Sequence, residues 1–264
     1  MKIKHPKKSL GQNFLTDKNV ADIIVNIGDI KKNDTVLEVG PGTGNLTEKI
    51  LSKNPREIFA IEKDKSLVKK LHERFREKII LINDDILKID EKKYSNDPMI
   101  VFGNLPYNIS TQILIKWIRY NNLNNTFKKF ILMFQKEVAE RIIAETHEKN
   151  YGRLAVISSW KLNIKKVTDV LPNSFYPIPK VKSTVLLIEP KNEYFNLKNM
   201  KNLEHITNIF FNQRRKMIKK PLNIIFKNVN EISKKLNINI NDRPQNLSSL
   251  KYFEICREYE NLGS

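Results

Sequence analysis

The chain contains one cysteine, Cys256, in 264 residues. An internal disulfide is therefore excluded. No grouping of cysteine and histidine has metal-ligand spacing, so no metal site is expected. No apolar run approaches the ~20 residues that span a bilayer. The basic start, 1–9, runs directly into Leu10-Gly11-Gln12-Asn13-Phe14-Leu15. It has no apolar core or small-residue cleavage site, so no secretory signal is expected, and a reducing cytoplasm is the expected compartment. Acidic residues are also scarce, 29 against 47 Lys plus Arg, for a net charge of +18. Such an excess points to a polyanionic partner, because each neutralised phosphate releases condensed counterions. A general lysine bias accounts for part of it. Two clusters stand above that bias: Lys2, Lys4, Lys7 and Lys8, and later Arg214, Arg215, Lys216, Lys219 and Lys220. Nucleic acid is the expected partner.

What is present fits a soluble globular protein: 40% hydrophobic residues with 29% charged, and enough length for one large domain plus a small one. Apolar spacing at Val20, Ile23, Ile24 and Ile27 predicts a helix over Asp17–Gly28. A β–α alternation follows. Strands are expected at Thr35–Val39, Glu57–Ile61, Ile79–Ile82, Met99–Phe102 and Phe130–Phe134. The intervening helices are expected at Asn45–Ser52, Lys65–Arg76, Ser110–Tyr120 and Glu137–Glu145. Such alternation implies a parallel sheet covered on both faces. Two further β-like runs, Leu154–Trp160 and Ser183–Ile188, flank the proline-punctuated loop 172–179. A domain boundary is expected near Pro190. Beyond it helices are expected at His205–Asn212, Ile218–Phe226, Ile232–Leu236 and Leu250–Tyr259.

Four strand ends carry groups suited to a nucleoside. Glu38-Val39-Gly40-Pro41-Gly42-Thr43-Gly44 lies between a strand and a helix, where glycines let the backbone turn sharply and approach a ligand closely. It lacks the Lys-Ser/Thr of a phosphate loop and the spacing of a dinucleotide fingerprint. Glu62 ends the next strand, about 20 residues past Gly40, where a carboxylate accepts ribose hydroxyls in doubly wound folds. Asp85 is placed to hold an adenine amino group and Ile86 to cover the ring. The fourth strand ends at Asn104-Leu105-Pro106-Tyr107. Pro106 lacks an N–H and forces a turn, leaving amide and carbonyl acceptors beside an aromatic ring. That corner suits a planar base with an exocyclic amine. The set favours S-adenosylmethionine over NAD, since a short amino-acid tail needs no pyrophosphate cradle.

These segments, together with Ser174-Phe175-Tyr176-Pro177-Ile178-Pro179-Lys180-Val181, closely resemble the ribosomal RNA adenine N6,N6-dimethyltransferases from about Lys8 to Leu250. One branch of that family modifies two adjacent adenosines in the 3′-terminal hairpin of small-subunit rRNA during assembly. The other dimethylates one large-subunit adenosine and confers macrolide resistance. Pro41-Gly42-Thr43, Phe211-x-x-Arg214-Arg215-Lys216 and Arg243-Pro244-x-x-Leu247 resemble the assembly branch, with departures from its usual pattern at Met217 and Gln245. The resemblance implies a doubly wound, Rossmann-like methyltransferase domain over 1–189 and a small helical rRNA-docking domain over 190–264. It implies cofactor contacts at Asn13, Leu15, Gly40, Gly42, Glu62, Asp85, Ile86 and Asn104.

The same resemblance implies a reaction centre of Asn104, Leu105, Pro106 and Tyr107. Asn104 Oδ1 and the Leu105 or Pro106 carbonyl would accept the target amine, and the flipped base would stack on Tyr107 and Phe175. Phe14 is expected to line the pocket. RNA contacts are expected from Lys7, Lys8, Arg214, Arg215 and Lys216, in a monomer acting on an immature small subunit. A DNA adenine methyltransferase would need a separate base-reading domain, which the sequence does not suggest. A protein-glutamine methyltransferase would not need so basic a surface. A binding-only assembly factor would not need the reaction residues.

Overall fold

The computed structural model describes residues 6–7 and 10–262. Its strands are β1 (Phe14–Leu15), β2 (Thr35–Val39), β3 (Glu57–Ile61), β4 (Ile80–Ile82), β5 (Met99–Asn104), β6 (Phe127–Gln135), β7 (Leu162–Val170), β8 (Phe175–Tyr176) and β9 (Ser183–Pro190). The helices of the first two-thirds are α1 (Lys18–Gly28), α2 (Asn45–Leu51), α3 (Lys65–Phe75), α4 (Ser110–Ile118), α5 (Leu123–Thr126), α6 (Lys136–Ile143) and α7 (Arg153–Lys161). They are followed by α8 (Met200–Phe211), α9 (Lys219–Ile225), α10 (Val229–Lys235) and α11 (Ser249–Asn261).

Seven strands form one sheet in the order β4-β3-β2-β5-β6-β9-β7, and β1 pairs separately with β8. From β4 to β6 the pairing is parallel, while β9 runs antiparallel to β6. The expected parallel sheet is thus a mixed one. All five residues of β2 are buried, and so are the first five of β5. Strands covered on both faces read as unbroken apolar runs, which is why the sequence marks them clearly. Asp17 and Asp64 start α1 and α3 by accepting backbone N–H groups from the first turn.

The chain divides into two compact units, 1–139 with 163–190, and 140–162 with 191–264. The expected single cut at Pro190 is therefore incomplete, because 140–162 joins the helical unit. The run Leu154–Trp160, expected as a strand, is α7. Ala155, Val156, Ile157, Ser158, Trp160 and Lys161 are all buried, and a helix covered nearly all round shows no apolar stripe to distinguish it from a buried strand. Within this second unit α7, α8 and α11 pack together, and Phe210 and Tyr252 meet edge to face at 5.4 Å. Cys256 is buried in the same unit.

Strand β7 was not foreshadowed by any apolar pattern. It lies at the sheet edge and buries only its two ends, so its sequence carries lysines in place of an apolar alternation. Strands β1 and β8, two residues each, are too short for periodicity to reveal.

Candidate active site

Register brings the strand ends together. Val39 pairs with both Ile61 and Gly103, and Ile61 pairs with Ile82. The residues just past that row, Gly40, Glu62 and Asn104, therefore lie side by side at the carboxyl edge of the sheet, Asn104 as the last residue of β5. Strand β2 has β3 on one flank and β5 on the other, so the order reverses here, and ligands of open α/β sheets bind at such a reversal. A cavity opens at this point. It is lined by 10–15, the turn 38–43, Glu62 and Lys63, Asp84 to Ile86, and 104–109.

Gly40 and Gly42 adopt φ of +70° and +57°, a region L side chains rarely enter. A Cβ at position 42 would sit 2.7 Å from Cδ1 of Phe14, so the ring packs directly on glycine backbone. The Gly42 N–H donates to Glu62 Oε2 at 3.2 Å and the Asp64 N–H to Oε1 at 2.8 Å. Glu62 is 7% exposed, and burial pushes its carboxyl above the usual range despite those two donors. Asp85 is held below its usual range, chiefly because Lys63 Nζ donates to its Oδ2 at 2.8 Å.

The N-terminal segment forms one wall. Phe14 and Leu15 pair with Tyr176 and Phe175, and Asn45 Nδ2 donates to the Leu15 carbonyl at 2.7 Å. Lys7 Nζ and Gln12 Nε2 both donate to Asp64, at 2.8 and 3.0 Å. Burial alone would raise the Asp64 carboxyl, but hydrogen bonds from Lys7, Ser66 and Gln12 hold it well below the usual range. Asn104 Nδ2 donates to the Asn13 carbonyl at 2.7 Å, which fixes the amide and leaves Oδ1 as its acceptor end. Tyr107 Oη lies 2.6 Å from Ser183 Oγ, anchoring the ring of a half-buried residue.

The lining carries the carboxyl groups of Glu38, Glu62, Asp84 and Asp85 against, among the described residues, the single cation Lys63. That excess of acids disfavours a pyrophosphate. It suits a ligand with hydroxyl donors, an exocyclic amine and positive charge, which is the chemistry of S-adenosylmethionine.

The sequence profile of ribosomal RNA adenine dimethylases matches residues 3–261. The chain belongs to that family. Among ribosomal RNA adenine dimethylases it is 55% identical over 256 residues to the ribosomal RNA small subunit methyltransferase A of Pelagibacter ubique (strain HTCC1062), covering 97% of each chain. It is 42% identical to the protein of that name from Ehrlichia ruminantium (strain Gardel), covering 96% of each. Its fold matches a dimethyladenosine transferase from Plasmodium falciparum with a TM-score of 0.80 and 26% identity, over 95% of this chain and 98% of that one. The 23S rRNA methyltransferase ErmE matches at a TM-score of 0.68 and 23% identity, over 92% and 99%, which speaks to fold alone. S-adenosylmethionine is the cofactor of this dimethylase, and the cavity's residues fit it.

Every residue expected at the cofactor lines this cavity, as do Phe14 and the whole Asn104–Tyr107 corner. Phe175 does not. It is 2% exposed and packs in the core cluster beneath β1, so its ring is not offered to a base; the backbone partner that makes it β8 also buries it. Lys7 is engaged by Asp64, and Lys8 lies outside the described residues. Arg214 Nε donates to Gln245 Oε1 at 3.2 Å, and the same guanidinium bonds the Lys149 carbonyl, so this arginine braces its own unit. Arg215 and Lys216 are exposed and line a groove with Lys219, Lys220 and Arg243.

Four site residues carry no mark in the sequence strong enough to single them out: Gln12, Glu38, Asn45 and Ser183. Glu38 is 1% exposed and accepts the Thr47 hydroxyl at 2.6 Å. Burial pushes its carboxyl up to about 7, with the Thr47 hydrogen bond opposing and Glu62 adding. A lone acid inside an otherwise apolar strand was the available signal. For Gln12, Asn45 and Ser183 no local signal exists, because their partners lie far away in the chain.

Proposed function

We propose that this enzyme transfers methyl groups from S-adenosylmethionine to N6 of two adjacent adenosines in the 3′-terminal hairpin of small-subunit rRNA, giving N6,N6-dimethyladenosines. It acts as a cytoplasmic monomer on an immature small subunit. The observation that carries this reading is the fixed Asn104 amide, its nitrogen committed to the Asn13 carbonyl at 2.7 Å, in the same cavity as Glu62 and Asp85.

An adenine N6 lone pair is delocalised into the ring, so the amine is a poor nucleophile. Asn104 Oδ1 and a backbone carbonyl accept its two N–H bonds and favour a more pyramidal nitrogen. That second acceptor is the Leu105 or the Pro106 carbonyl, the latter also accepting the Ile109 N–H at 3.1 Å. When bound, the cofactor supplies an electrophilic methyl on a positively charged sulfur. The protein contributes position more than acid–base chemistry. Glu62 takes the ribose hydroxyls, Asp85 the adenine amine, and Ile86 covers the ring. Tyr107, braced by Ser183, offers a face to the unstacked base, a contact worth roughly 1–3 kcal/mol. The exposed cations Arg215 and Lys216 hold RNA phosphates.

Asn104→Ala tests the assignment. Turnover should fall by roughly 10²–10³-fold, the usual cost of one preorganised polar contact in a transition state. Cofactor affinity by calorimetry should fall much less, by about tenfold at most, the cost of one lost contact. Methyl transfer at the wild-type rate would remove Asn104 from the mechanism. Mass-spectrometric mapping of the modified nucleotides in small- and large-subunit rRNA tests the substrate.

A further inference from the structure

A buried charged cluster lies behind the adenine end of the cavity. Glu91, in the loop between β4 and β5, has a side chain 0% exposed. Lys116 Nζ, on α4, donates to both of its carboxylate oxygens at 2.7 Å. Trp117 Nε1 and Tyr120 Oη donate to the same carboxylate, each at 2.6 Å. Three neighbouring donors thus satisfy an acid that would otherwise be costly to bury. The Lys116 ammonium has one further acceptor, the Ile86 carbonyl, at 2.6 Å.

That last bond reaches the site. Ile86 lines the cavity, and its carbonyl is held by Lys116. Helix α4 also begins at the reaction corner: the Ile109 N–H donates to the Pro106 carbonyl at 3.1 Å, and Ser110 Oγ to the Tyr107 carbonyl at 3.3 Å. One rigid helix is therefore bonded at its start to the amine-accepting corner and near its end to the shelf at Asp85 and Ile86. Two loops that meet the same cofactor at opposite ends are kept at a set separation.

We propose that Lys116, locked by Glu91, is a positioning residue that sets the adenine shelf at Asp85 and Ile86 relative to the Asn104–Tyr107 corner. The proposal rests on the reading of Asp85 and Ile86 as the adenine end, and the test separates the two. The variant is Lys116→Met with Glu91→Gln. Replacing a buried pair together is often neutral for stability, and a glutamine can still accept from Trp117 with its oxygen while its NH2 donates to the Tyr120 hydroxyl oxygen. The probes are S-adenosylhomocysteine and its hypoxanthine analogue, which has lost the exocyclic amine.

The wild type should prefer the adenine compound, and Asp85→Ala should lose that preference. The double variant should melt close to the wild type yet bind S-adenosylhomocysteine about tenfold more weakly, the effect of losing one charged hydrogen bond. Its preference for adenine should shrink toward that of Asp85→Ala, and Lys116→Arg should restore part of it. A wild type that does not distinguish the two ligands overturns the reading of the adenine end. A wild type that discriminates, beside a folded double variant that discriminates equally and binds equally well, overturns the role of Lys116. If the double variant does not fold, Lys116→Arg, which keeps a positive charge beside the buried Glu91 but changes the group that reaches the Ile86 carbonyl, carries the same comparison of ligand preference. Equal preference in that variant counts against the proposal in the same way.

Discussion

On the proposed reading, the cavity of the first unit and the groove of the second recognise their ligands by opposite means. The cavity is acidic inside a chain of net charge +18, and its polar groups are mostly committed in advance: Glu62 to two backbone N–H groups, Asn104 to Asn13, Tyr107 to Ser183. The groove presents Arg215, Lys216, Lys219 and Lys220 exposed on its surface. A small cofactor must be placed within a fraction of an ångström for an in-line transfer, so its contacts are braced from behind. A polyanion is held by many screened, long-range attractions, for which exposed, mobile cations are sufficient. Arg214 stands between the two styles, a cation of the basic cluster that is braced within its own unit.

The comparison breaks most easily at Glu62. Glu62→Ala removes a carboxylate expected to accept ribose hydroxyls and also strands two buried backbone donors. Cofactor affinity by calorimetry should fall on the order of 100-fold, while RNA affinity in a filter-binding assay stays near wild type. The reciprocal change is Arg215→Ala with Lys216→Ala. RNA affinity should fall about tenfold or more, and the dependence of log K on log salt should flatten by about one for each phosphate that is no longer neutralised. Cofactor affinity should not move. Loss of cofactor binding in this variant would dissolve the division of labour.

Glu38 sharpens the contrast through pH. Its folded-state value, about 7, lies above the ordinary 4.5 because the group is buried. Between those values the folded chain keeps a proton that the unfolded chain releases, so stability falls as pH rises through the window, and the loss is complete above it. Glu38→Gln removes this penalty. In urea titrations without ligand, the variant's advantage over wild type should grow by about 3 kcal/mol from pH 4 to pH 8. A pH-independent difference would mean that the carboxyl is not desolvated. The smallest expected effect is that of Ser183→Ala, which frees the Tyr107 hydroxyl. One lost neutral hydrogen bond of about 1 kcal/mol should lower turnover about fivefold, with cofactor affinity unchanged.

Local order made much of this legible in advance. The strands β2, β3 and β5 are short apolar runs ending in glycine, acid or amide, and those endings alone placed Gly40, Glu62 and Asn104 on one edge. Residues whose role depends on sequence-distant partners were not legible. Phe175 belongs to an aromatic-proline segment that suggests a stacking face, yet pairing with Leu15 turns it into the core. Lys7 reads as a free cation of a basic tail until Asp64 is brought beside it. The stretch 154–160 reads as a strand because an unbroken apolar run does not distinguish one from a buried helix, and only its packing with α8 and α11 makes it α7.

By itself the sequence determined the alternation of elements, the ligand-bearing strand ends and the excess of positive charge, because each is written in neighbouring residues. The tertiary structure alone decided which groups are braced, which cations stay exposed and that Lys116 reaches Ile86. Those outcomes depend on contacts between segments tens of residues apart, and burial, which sets both the cost of a charge and the value of its partner, exists only once the chain has folded.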